Sequence, residues 1–565
     1  MTPRYSLAPA LLGMAAALAP AGGTHAQAPT LVAVSPAANA VAAPRTAPLV
    51  VTASQPLTAA SAGALRVFSG QRGGLRTRPA TPAQATGSTL SFAPTAYPYL
   101  PGETVQYTVT TAAAGSGGAL ARPRVGQFTT AVGGSGRGYF QAGADLVVGS
   151  STYDVGLADV DNDGDLDLLV VDANSRSVQI RLNDGSGNFS GSQSVAAGYS
   201  AYSVTPGDVD GDGDLDLLVA NFGGNSLSVC LNNGGGNFSP GQQVPVPAGS
   251  LGATLADVDG DGDLDLLSSS PYTSTVHVRV NNGQGTFTGT QDVPVGGQNN
   301  GMATGDVDGD GDVDFAVANK FSNTVSVRLN DGSGLFGGTQ DVAVGTRPNS
   351  VALADVDNDG DLDLLATTEY GGTSVRLNNG SGLFGGTQNV ALADGGWKMA
   401  MADVDADGDL DLVATGSRYP NLGAISVQLN DGTGVFSGLR TLPFGSLVYG
   451  VAAGDLDGDG DLDLVTANYD NASTVSVRFN QAQPLATAGA AASLPALAAF
   501  PNPTTGRTAL ALPPAATSAE VLDGLGRVLR TVPARAGSAT LDVAGLAPGL
   551  YLVRAAGQVA RLVVE

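Results

Sequence analysis

The sequence is poor in the side chains that most catalytic and disulfide-stabilised proteins use. Among its 565 residues there is one cysteine, Cys230, so no disulfide can form within the chain. Lysine occurs only at Lys320 and Lys398, and histidine only at His25 and His277. No nucleophile elbow, histidine zinc triplet or phosphate-binding glycine loop is present. The sequence therefore favours a binding or structural protein over an enzyme, and we predict no catalytic residues.

Long apolar runs are also missing from most of the chain. Beyond the N-terminal residues, no stretch approaches the ~20 apolar residues that a membrane helix needs. The N-terminal run, from Leu7 to Ala21, follows Arg4 and precedes the small-residue pattern Ala26-Gln-Ala28. This order is typical of a cleaved signal peptide. We therefore predict a signal peptide over residues 1–28, an exported protein and no transmembrane span.

Positive charge is scarce in the middle of the chain. The 51 acidic and 26 basic residues give a formal charge of −25. Residues 139–480 contain 46 of the acids and only 11 of the bases, whereas residues 1–138 contain nine arginines and a single acid, Glu103. This distribution disfavours nucleic acid as a partner of the middle segment.

The acidity comes from one motif that recurs seven times. Its first copy is Asp159-Val-Asp-Asn-Asp-Gly-Asp-Leu-Asp167, and every copy follows the pattern D-x-D-x-D-G-D-x-D. The ion Ca²⁺ prefers six to eight oxygen ligands, and glycine permits the sharp turn that gathers such oxygens around one ion. Five aspartates in one short loop repel each other unless a cation lies among them. The motif therefore predicts a metal site in each copy.

The spacing of the motif predicts the fold of the middle segment. Successive copies are 48 to 52 residues apart, and each module contains four short apolar strand patterns. A strand rather than the helix of an EF-hand follows each loop, so the loop should join two strands. Four strands in a period of this length are typical of a propeller blade. We predict an all-β protein with a seven-bladed β-propeller over residues 139–480.

A displaced strand indicates how the ring closes. The motif Gly-x-Phe opens the fourth strand of six modules, from Phe189 to Phe436, and is missing from the seventh. It occurs instead at Phe140, which precedes Phe189 by 49 residues. We predict that residues 139–149 supply the outer strand of the last blade, so that no sheet edge stays open at the seam.

These features resemble the FG-GAP (VCBS) repeat family, the calcium-loop propellers related to the heads of integrin α-subunits. The resemblance rests on the Asp loops, the turn Asn183-Asp-Gly-Ser-Gly-Asn-Phe189 and the period. It implies about seven structural Ca²⁺ ions. In the first repeat, the side chains of Asp159, Asp161, Asp163 and Asp167 and the carbonyl of Asp165 would hold the ion. The same roles fall on Asp208, Asp210, Asp212, Asp214 and Asp216; Asp257, Asp259, Asp261, Asp263 and Asp265; Asp306, Asp308, Asp310, Asp312 and Asp314; Asp355, Asp357, Asp359, Asp361 and Asp363; Asp403, Asp405, Asp407, Asp409 and Asp411; and Asp455, Asp457, Asp459, Asp461 and Asp463.

The flanking segments resemble two further families. Residues 29–131, with motifs such as Leu100-Pro-Gly-Glu-Thr-Val105, resemble a bacterial Ig-like β-sandwich, which we expect to act as a spacer or docking domain before a linker over residues 132–138. A second linker, residues 481–497, precedes residues 498–565. These resemble the sorting domain of the type IX secretion system through Phe500-Pro-Asn-Pro-Thr-Thr-Gly506 and Leu546-Ala-Pro-Gly-Leu-Tyr-Leu-Val-Arg554. The resemblance implies a small β-sandwich, contact with the secretion machinery, and release or surface attachment.

Two sets of variable aromatic residues lie at the predicted propeller mouth opposite the Asp loops. Tyr153, Tyr202, Trp397 and Tyr449 stand six residues before the first aspartate of their loops, and they suit stacking against sugar rings or a protein surface. A second set follows the second strand of six modules, and we interpret it as packing between blades: Phe222, Tyr272, Phe321, Tyr370, Tyr419 and Tyr469.

Two rare side chains have ordinary structural interpretations. Cys230 takes the strand position that Arg181 holds in the first repeat, which favours a packed thiol over a nucleophile. His277 stands between Val276 and Val278, and this alternation predicts an exposed histidine on a strand.

We expect a secreted or surface-displayed, monomeric, calcium-binding propeller that acts as a binding or adhesion module for a glycan or a surface protein. A calcium-dependent polysaccharide lyase is an alternative function. Such an enzyme would need clustered arginine, lysine and tyrosine, and the turn Gly416-Ser-Arg-Tyr-Pro-Asn421 is the nearest candidate. A purely structural adhesin is a further alternative.

Overall fold

The computed structural model is nearly all-β. It describes residues 27–95, 97–247, 249–416, 423–444, 446–469, 473–482, 497–500, 502–513, 516–523, 526–535, 537–556 and 558–565. Nearly all of the predicted signal peptide, most of the second linker and the turn after Gly416 lie outside these residues. The chain divides into two compact units, residues 1–482 and 483–565. Among the described residues, no helix is long and apolar enough to cross a membrane.

The N-terminal part of the first unit is a two-layer β-sandwich, called the first sandwich below. One layer contains the strands Leu31–Ser35, Leu49–Ala53, Thr89–Phe92 and Gln84–Thr86, and the other contains Leu65–Ser69, Thr104–Val109 and Arg124–Thr129. A 3₁₀ turn, Ala59–Ala64, and a short ribbon, Ala114–Gly115 with Gly118–Ala119, complete it. Alternate side chains such as Val51, Leu90, Val67 and Tyr107 point inward and form its core.

Seven four-stranded antiparallel sheets follow, one for each Asp loop. Their strands, from the first to the fourth, are Thr152–Ala158, Asp167–Asp172, Ser177–Asn183 and Phe189–Ala196 in blade 1; Ala201–Gly207, Asp216–Asn221, Ser226–Asn232 and Phe238–Pro245 in blade 2; Gly252–Ala256, Asp265–Ser270, Thr275–Asn281 and Phe287–Pro294 in blade 3; Asn299–Gly305, Asp314–Asn319, Thr324–Asn330 and Phe336–Ala343 in blade 4; Thr346–Ala354, Asp363–Tyr370, Gly372–Leu377 and Gly385–Val390 in blade 5; Gly396–Ala402, Asp411–Gly416, Ala424–Asn430 and Phe436–Pro443 in blade 6; and Leu447–Gly454, Asp463–Tyr469, Thr474–Gln481 and Tyr139–Val147 in blade 7. The all-β fold class with repeated four-stranded sheets is therefore confirmed.

The first strands contact one another in an unbroken circle, which places them around the axis of the ring. In blade 7 the outer strand, Tyr139–Val147, pairs antiparallel with Thr474–Gln481, so that Phe140 lies opposite Asn480. This pairing matches the prediction drawn from the displaced Gly-x-Phe motif. It gives blade 7 its fourth strand from the segment that precedes blade 1, so one sheet joins the two ends of the propeller.

The second strand of each blade is buried on both faces. In blade 1, Leu168, Leu169, Val170 and Val171 are all fully buried, although neighbouring side chains on a strand point to opposite faces. Both faces are covered because each blade packs between two others. The sequences of these strands are therefore continuous apolar runs and do not alternate between apolar and polar residues, as is usual for strands covered on both faces.

A buried asparagine at the end of every third strand ties each blade to the one before it. In blade 3, Asn281 Nδ2 donates to the Val209 carbonyl of blade 2 at 2.8 Å and to the Leu264 carbonyl of its own loop at 3.0 Å. The same residue type bridges all seven blades, at Asn183, Asn232, Asn281, Asn330, Asn378, Asn430 and Asn480. These bonds satisfy loop carbonyls that would otherwise be buried without a donor.

The second unit contains two small sheets. One consists of Ala498–Phe500, Arg507–Ala511 and Ser538–Asp542, and the other of Val528–Pro533, Ser518–Leu522, Gly549–Ala555 and Gln558–Val564. Apolar residues of both sheets, among them Leu510, Val521, Leu541 and Leu562, share one core.

Candidate functional site

Each Asp loop connects the first strand of a blade to the second. The glycine at position 6 of the loop has a positive φ in all seven copies, between 91° and 109°, from Gly164 in blade 1 to Gly460 in blade 7. Glycine adopts this conformation without the steric penalty that a Cβ imposes. The turn brings carboxylates together, and in blade 1 one oxygen each of Asp159, Asp161 and Asp167 lies within 4.8 Å of the others. The corresponding aspartates converge in blades 2, 3 and 4, and Asp355, Asp357 and Asp359 converge in blade 5.

Backbone donors hold two of these carboxylates in place. Asp167 accepts hydrogen bonds from Val160 N at 3.0 Å and from Asn183 N at 2.9 Å, one on each oxygen. Asp159 Oδ2 accepts from Gly164 N at 3.0 Å. The other oxygen, Asp159 Oδ1, is buried without a hydrogen-bond partner, and the residue is 1% exposed.

Several loops share this buried acceptor without a donor. The Oδ1 atoms of Asp355, Asp357, Asp405 and Asp457 are in the same situation. A buried carboxylate oxygen without a hydrogen-bond partner makes the ionised group less stable, and a cation at the centre of the loop would offset this cost. The atoms available as metal ligands are all oxygens, which suits a hard divalent cation such as Ca²⁺.

Electrostatics supports the same conclusion. Burial raises the pKa of Asp159 to about 6, that of Asp167 to about 7 and that of Asp216 to about 8. Backbone hydrogen bonds oppose the increase, and neighbouring aspartates of the same loop add to it. Ionisation of these carboxyl groups is therefore costly in the absence of a cation, and the clusters are compatible with metal binding.

The four predicted mouth residues are brought together at the opposite end of the propeller axis. The Tyr153 ring stacks on those of Tyr202 and Tyr449, with centroids 5.1 and 5.7 Å apart, and Trp397 meets Tyr449 edge-on at 4.9 Å. These rings line a cavity of about 180 Å³, called the mouth cavity below, to which all seven blades contribute residues.

Polar groups complete the wall of the mouth cavity. Lys398 Nζ forms an ion pair with Asp154, and Asn300 Nδ2 donates to Asn349 Oδ1 at 3.2 Å. Two atoms of lining residues, Asn300 Oδ1 and Ser203 Oγ, are buried without a hydrogen-bond partner. The wall of the cavity thus combines aromatic rings with polar side chains.

The family comparison gives six overlapping matches to the FG-GAP-like repeat, at residues 159–219, 208–268, 257–317, 306–366, 355–414 and 403–466, which together span more than half of the chain. The chain belongs to the FG-GAP-like repeat family. Residues 25–130 match the bacterial Ig-like domain, and residues 498–564 match the secretion system C-terminal sorting domain. The type IX sorting domain indicates that this FG-GAP protein is secreted or displayed at the cell surface.

Solved structures similar to the chain include propellers. A lectin from Agrocybe aegerita, described as recognising non-reducing terminal N-acetylglucosamine, is 23% identical, with 56% of this chain and 86% of the lectin covered and a TM-score of 0.40. The WD40 β-propeller domain of Doa1 is 13% identical, with 61% and 97% covered and a TM-score of 0.42. The comparison with curated proteins finds no match.

The first sandwich and its linker cover the Asp-loop face of the FG-GAP propeller. Every loop receives a contact. In blades 1 to 3 the contact is to an aspartate side chain: Arg72 Nε lies 3.3 Å from Asp159 Oδ2, Leu75 N donates to Asp208 Oδ2 at 2.8 Å, and Thr108 Oγ1 donates to Asp257 Oδ2 at 2.6 Å. In blades 4 to 7 a loop carbonyl accepts the hydrogen bond: Val125 N donates to Gly311 at 2.6 Å, Asn39 Nδ2 to Gly360 at 3.0 Å, Arg137 Nη1 to Asp405 at 2.9 Å and Gly133 N to Gly460 at 3.1 Å. The arginine-rich, acid-poor N-terminal segment thus packs on the most acidic face of the protein.

Three members of the second aromatic set are more exposed than the predicted packing role implies, although Tyr272 still contacts Phe222 of the neighbouring blade. Tyr272 is 68% exposed, Phe321 71% and Tyr370 41%. Their turns follow the second strand, at the same end of the blades as the mouth cavity, and they surround it as an outer rim. Phe222 does pack, between the rings of Tyr202 and Tyr272, while Tyr419 lies outside the described residues.

The predicted exposure of His277 is wrong. The side chain is fully buried, and its Nδ1 lies 2.6 Å from Asp292 Oδ1. Alternation predicts an exposed face only where one side of a sheet meets water, and a blade packs on both sides. Burial lowers the pKa of His277, although Asp292 opposes the shift. Cys230 is buried as predicted, and burial raises the pKa of its thiol to about 11.

Proposed function

We propose that the protein is a calcium-stabilised binding module that holds a glycan in the mouth cavity and does not turn it over. The observation that carries this proposal is the combination of aromatic rings with polar side chains around one cavity, on the face opposite the first sandwich. In this proposal each Asp loop holds one Ca²⁺ ion, which fixes the hairpin between the first two strands of its blade.

A sugar ring fits the cavity in size and chemistry. A cavity of about 150 Å³ is enough for a benzene ring, so the roughly 180 Å³ here can take one six-membered ring. The ring of Trp397 suits the C–H surface of a sugar. Hydroxyl groups of the sugar would pair with polar side chains of the wall, such as Lys398 and Asn349.

The exposed rim extends the binding surface beyond one ring. Tyr272, Phe321 and Tyr370 offer further stacking faces around the cavity, so that a chain of several sugars could be held. The same exposed aromatics could instead contact a surface protein, since such residues dominate many protein interfaces. The two ligand classes would contact different parts of this surface, because a protein would contact the rim and leave the cavity unfilled, whereas a sugar ring would enter the cavity.

The chemistry of the mouth argues against the lyase alternative. Burial raises the pKa of Tyr153 to about 12, and it also raises the pKa of Tyr202 and Tyr449, so none of these phenols is suited to removing a proton near neutral pH. The amine of Lys398 is paired with Asp154. We therefore assign these groups to binding.

The replacement Trp397→Ala is expected to weaken glycan binding roughly 2- to 13-fold, because aromatic contacts of this kind contribute about 0.5–1.5 kcal/mol and 1.4 kcal/mol corresponds to a factor of ten. Trp397→Phe keeps an aromatic face and should retain most of the affinity. A glycan array with added Ca²⁺ identifies the ligand, and calorimetry with that ligand compares the variants. Unchanged affinity in Trp397→Ala would contradict the assignment of the cavity, and unsaturated uronate products from any array glycan would favour a lyase.

A further inference from the structure

The contacts between the first sandwich and the Asp loops fall into two kinds. In blades 1, 2 and 3 the sandwich reaches the side chain of the first aspartate, at Asp159, Asp208 and Asp257. In blades 4 to 7 the sandwich and its linker meet loop carbonyls instead, apart from linker amides that reach the side chain of Asp461, at position 7 of the last loop. Among the residues that the structure describes, no hydrogen bond or ion pair from the sandwich reaches Asp355, Asp403 or Asp455.

The three side-chain contacts share one geometry. Each uses the Oδ2 atom, which also accepts a hydrogen bond from the loop glycine: Gly164 N at 3.0 Å, Gly213 N at 2.8 Å and Gly262 N at 2.9 Å. In blade 1 the opposite oxygen, Asp159 Oδ1, is the buried atom without a partner. In blades 2 and 3 the Oδ1 atoms accept instead from the backbone of Gly211 at 2.7 Å and Gly260 at 2.8 Å. The sandwich therefore contacts the same carboxylate oxygen in all three blades and leaves Oδ1 to the loop.

The approach of the sandwich to the loops is close. Gly74, with φ of +43°, lies so near Asp208 that a Cβ at this position would overlap the Asp208 side chain. At Gly262 a Cβ would lie 2.7 Å from the Arg66 Cγ. Thr108 and Asp257 are both almost completely buried, at 1% and 3% exposure, so water cannot readily replace the hydroxyl. The contact is thus a permanent part of the loop surroundings.

We infer that the first sandwich sets the metal affinity of blades 1 to 3, because it supplies the outer partners of their first aspartates, whereas blades 5 to 7 form their sites without such partners. Groups that hydrogen-bond a metal-binding carboxylate fix its orientation, and their loss typically reduces metal affinity by a factor of about 10 to 100. The inference rests on metal binding by the loops and is independent of the ligand of the mouth cavity.

Thr108 and Arg72 should act in opposite directions. The Thr108 hydroxyl is a neutral donor that aligns the Asp257 carboxylate, so it favours the cation. The Arg72 guanidinium carries a positive charge 3.3 Å from Asp159 Oδ2, where it stabilises the metal-free carboxylate and repels an incoming cation. If the two contacts only stabilised the fold, their loss would not change the calcium affinity of the two loops in opposite directions.

Hydrogen exchange of the intact protein, measured by mass spectrometry across a calcium titration, resolves the individual loops. With Thr108→Val, the calcium midpoint for protection of residues 257–265 should rise about tenfold, while that of residues 355–363 stays the same. Thr108→Ser should restore the original midpoint because it keeps the hydroxyl. Thr104→Val, at an exposed position of the same strand, serves as the matched control and should change neither midpoint. With Arg72→Met, the midpoint for residues 159–167 should fall severalfold.

Four results would overturn the inference. An unchanged midpoint for residues 257–265 in Thr108→Val would remove the role of Thr108, and an equal shift in all seven loops would show general destabilisation instead. A higher midpoint for residues 159–167 in Arg72→Met would contradict the charge argument. If no loop of the unaltered protein responded to calcium, metal binding itself would be wrong, and the inference would be lost with it.

Discussion

Calcium removal is expected to lower the melting temperature of the protein by at least about 10 °C. Extracellular calcium modules bind with dissociation constants of roughly 10⁻⁴ to 10⁻³ M, so 10 mM calcium would stabilise each loop by about 1.4–2.7 kcal/mol. Seven such loops contribute on the order of 10 kcal/mol or more, which is comparable with the whole net stability of a typical domain. One kcal/mol corresponds to roughly 1–2 °C for a domain of this size, because the shift per kcal/mol decreases as domains become larger.

The origin of this dependence lies in the buried carboxylates. Without a cation, Asp159 and Asp167 in blade 1 and their equivalents hold negative charge away from water, and the raised pKa values record the cost. Thermal melts in EDTA and in calcium measure the difference. Magnesium at the same concentration is the control, and it should restore less stability, since it demands a stricter octahedral geometry. Coincident melts in EDTA and calcium would contradict a structural role for the metal.

The substitution Phe315→Ala is expected to destabilise the propeller by about 3–5 kcal/mol, the usual cost of removing a large buried aromatic side chain. Phe315 is fully buried in the second strand of blade 4, and its ring lies 4.9 Å from that of Phe336. It also packs with Val258 and Leu267 of blade 3 in the core between the two blades. The resulting cavity would therefore weaken an inter-blade contact as well as one sheet.

A matched control for Phe315 exists within the chain. All six other blades have leucine at the equivalent position: Leu168, Leu217, Leu266, Leu364, Leu412 and Leu464. Phe315→Leu should cost less than about 1.5 kcal/mol, since it keeps much of the volume and suits the same position elsewhere. Denaturant unfolding in saturating calcium compares the three proteins. Equal stability of Phe315→Ala and the unaltered protein would show that the inter-blade core does not limit stability.

The repeated part of the structure could be predicted from the sequence because its determinants are local. The glycine at position 6 of each loop, the apolar run after it and the fixed period define the hairpin and the blade without knowledge of distant residues. The displaced motif at Phe140 likewise indicates the strand that completes blade 7. At the mouth, the variable positions Tyr153, Tyr202, Trp397 and Tyr449 converge because they occupy the same register of neighbouring first strands.

The contacts between distant segments could not be predicted in the same way. The arginines of the first sandwich and the aspartates of the loops are complementary in charge, yet charge alone does not determine which surfaces meet. Arg72 contacts Asp159, and Thr108 contacts Asp257, which lies 149 residues further along the chain. The burial of His277 and the exposure of Tyr272 were mispredicted for a related reason, since both depend on where the neighbouring blades end.

The central claim is that each of the seven Asp loops holds one calcium ion, and native mass spectrometry of the mature protein tests it most directly. Spectra recorded over increasing calcium should show successive additions of one calcium mass that end at seven ions. Magnesium under the same conditions should give fewer. A protein that retains no calcium beyond the adducts formed by a control protein of similar charge would contradict the claim.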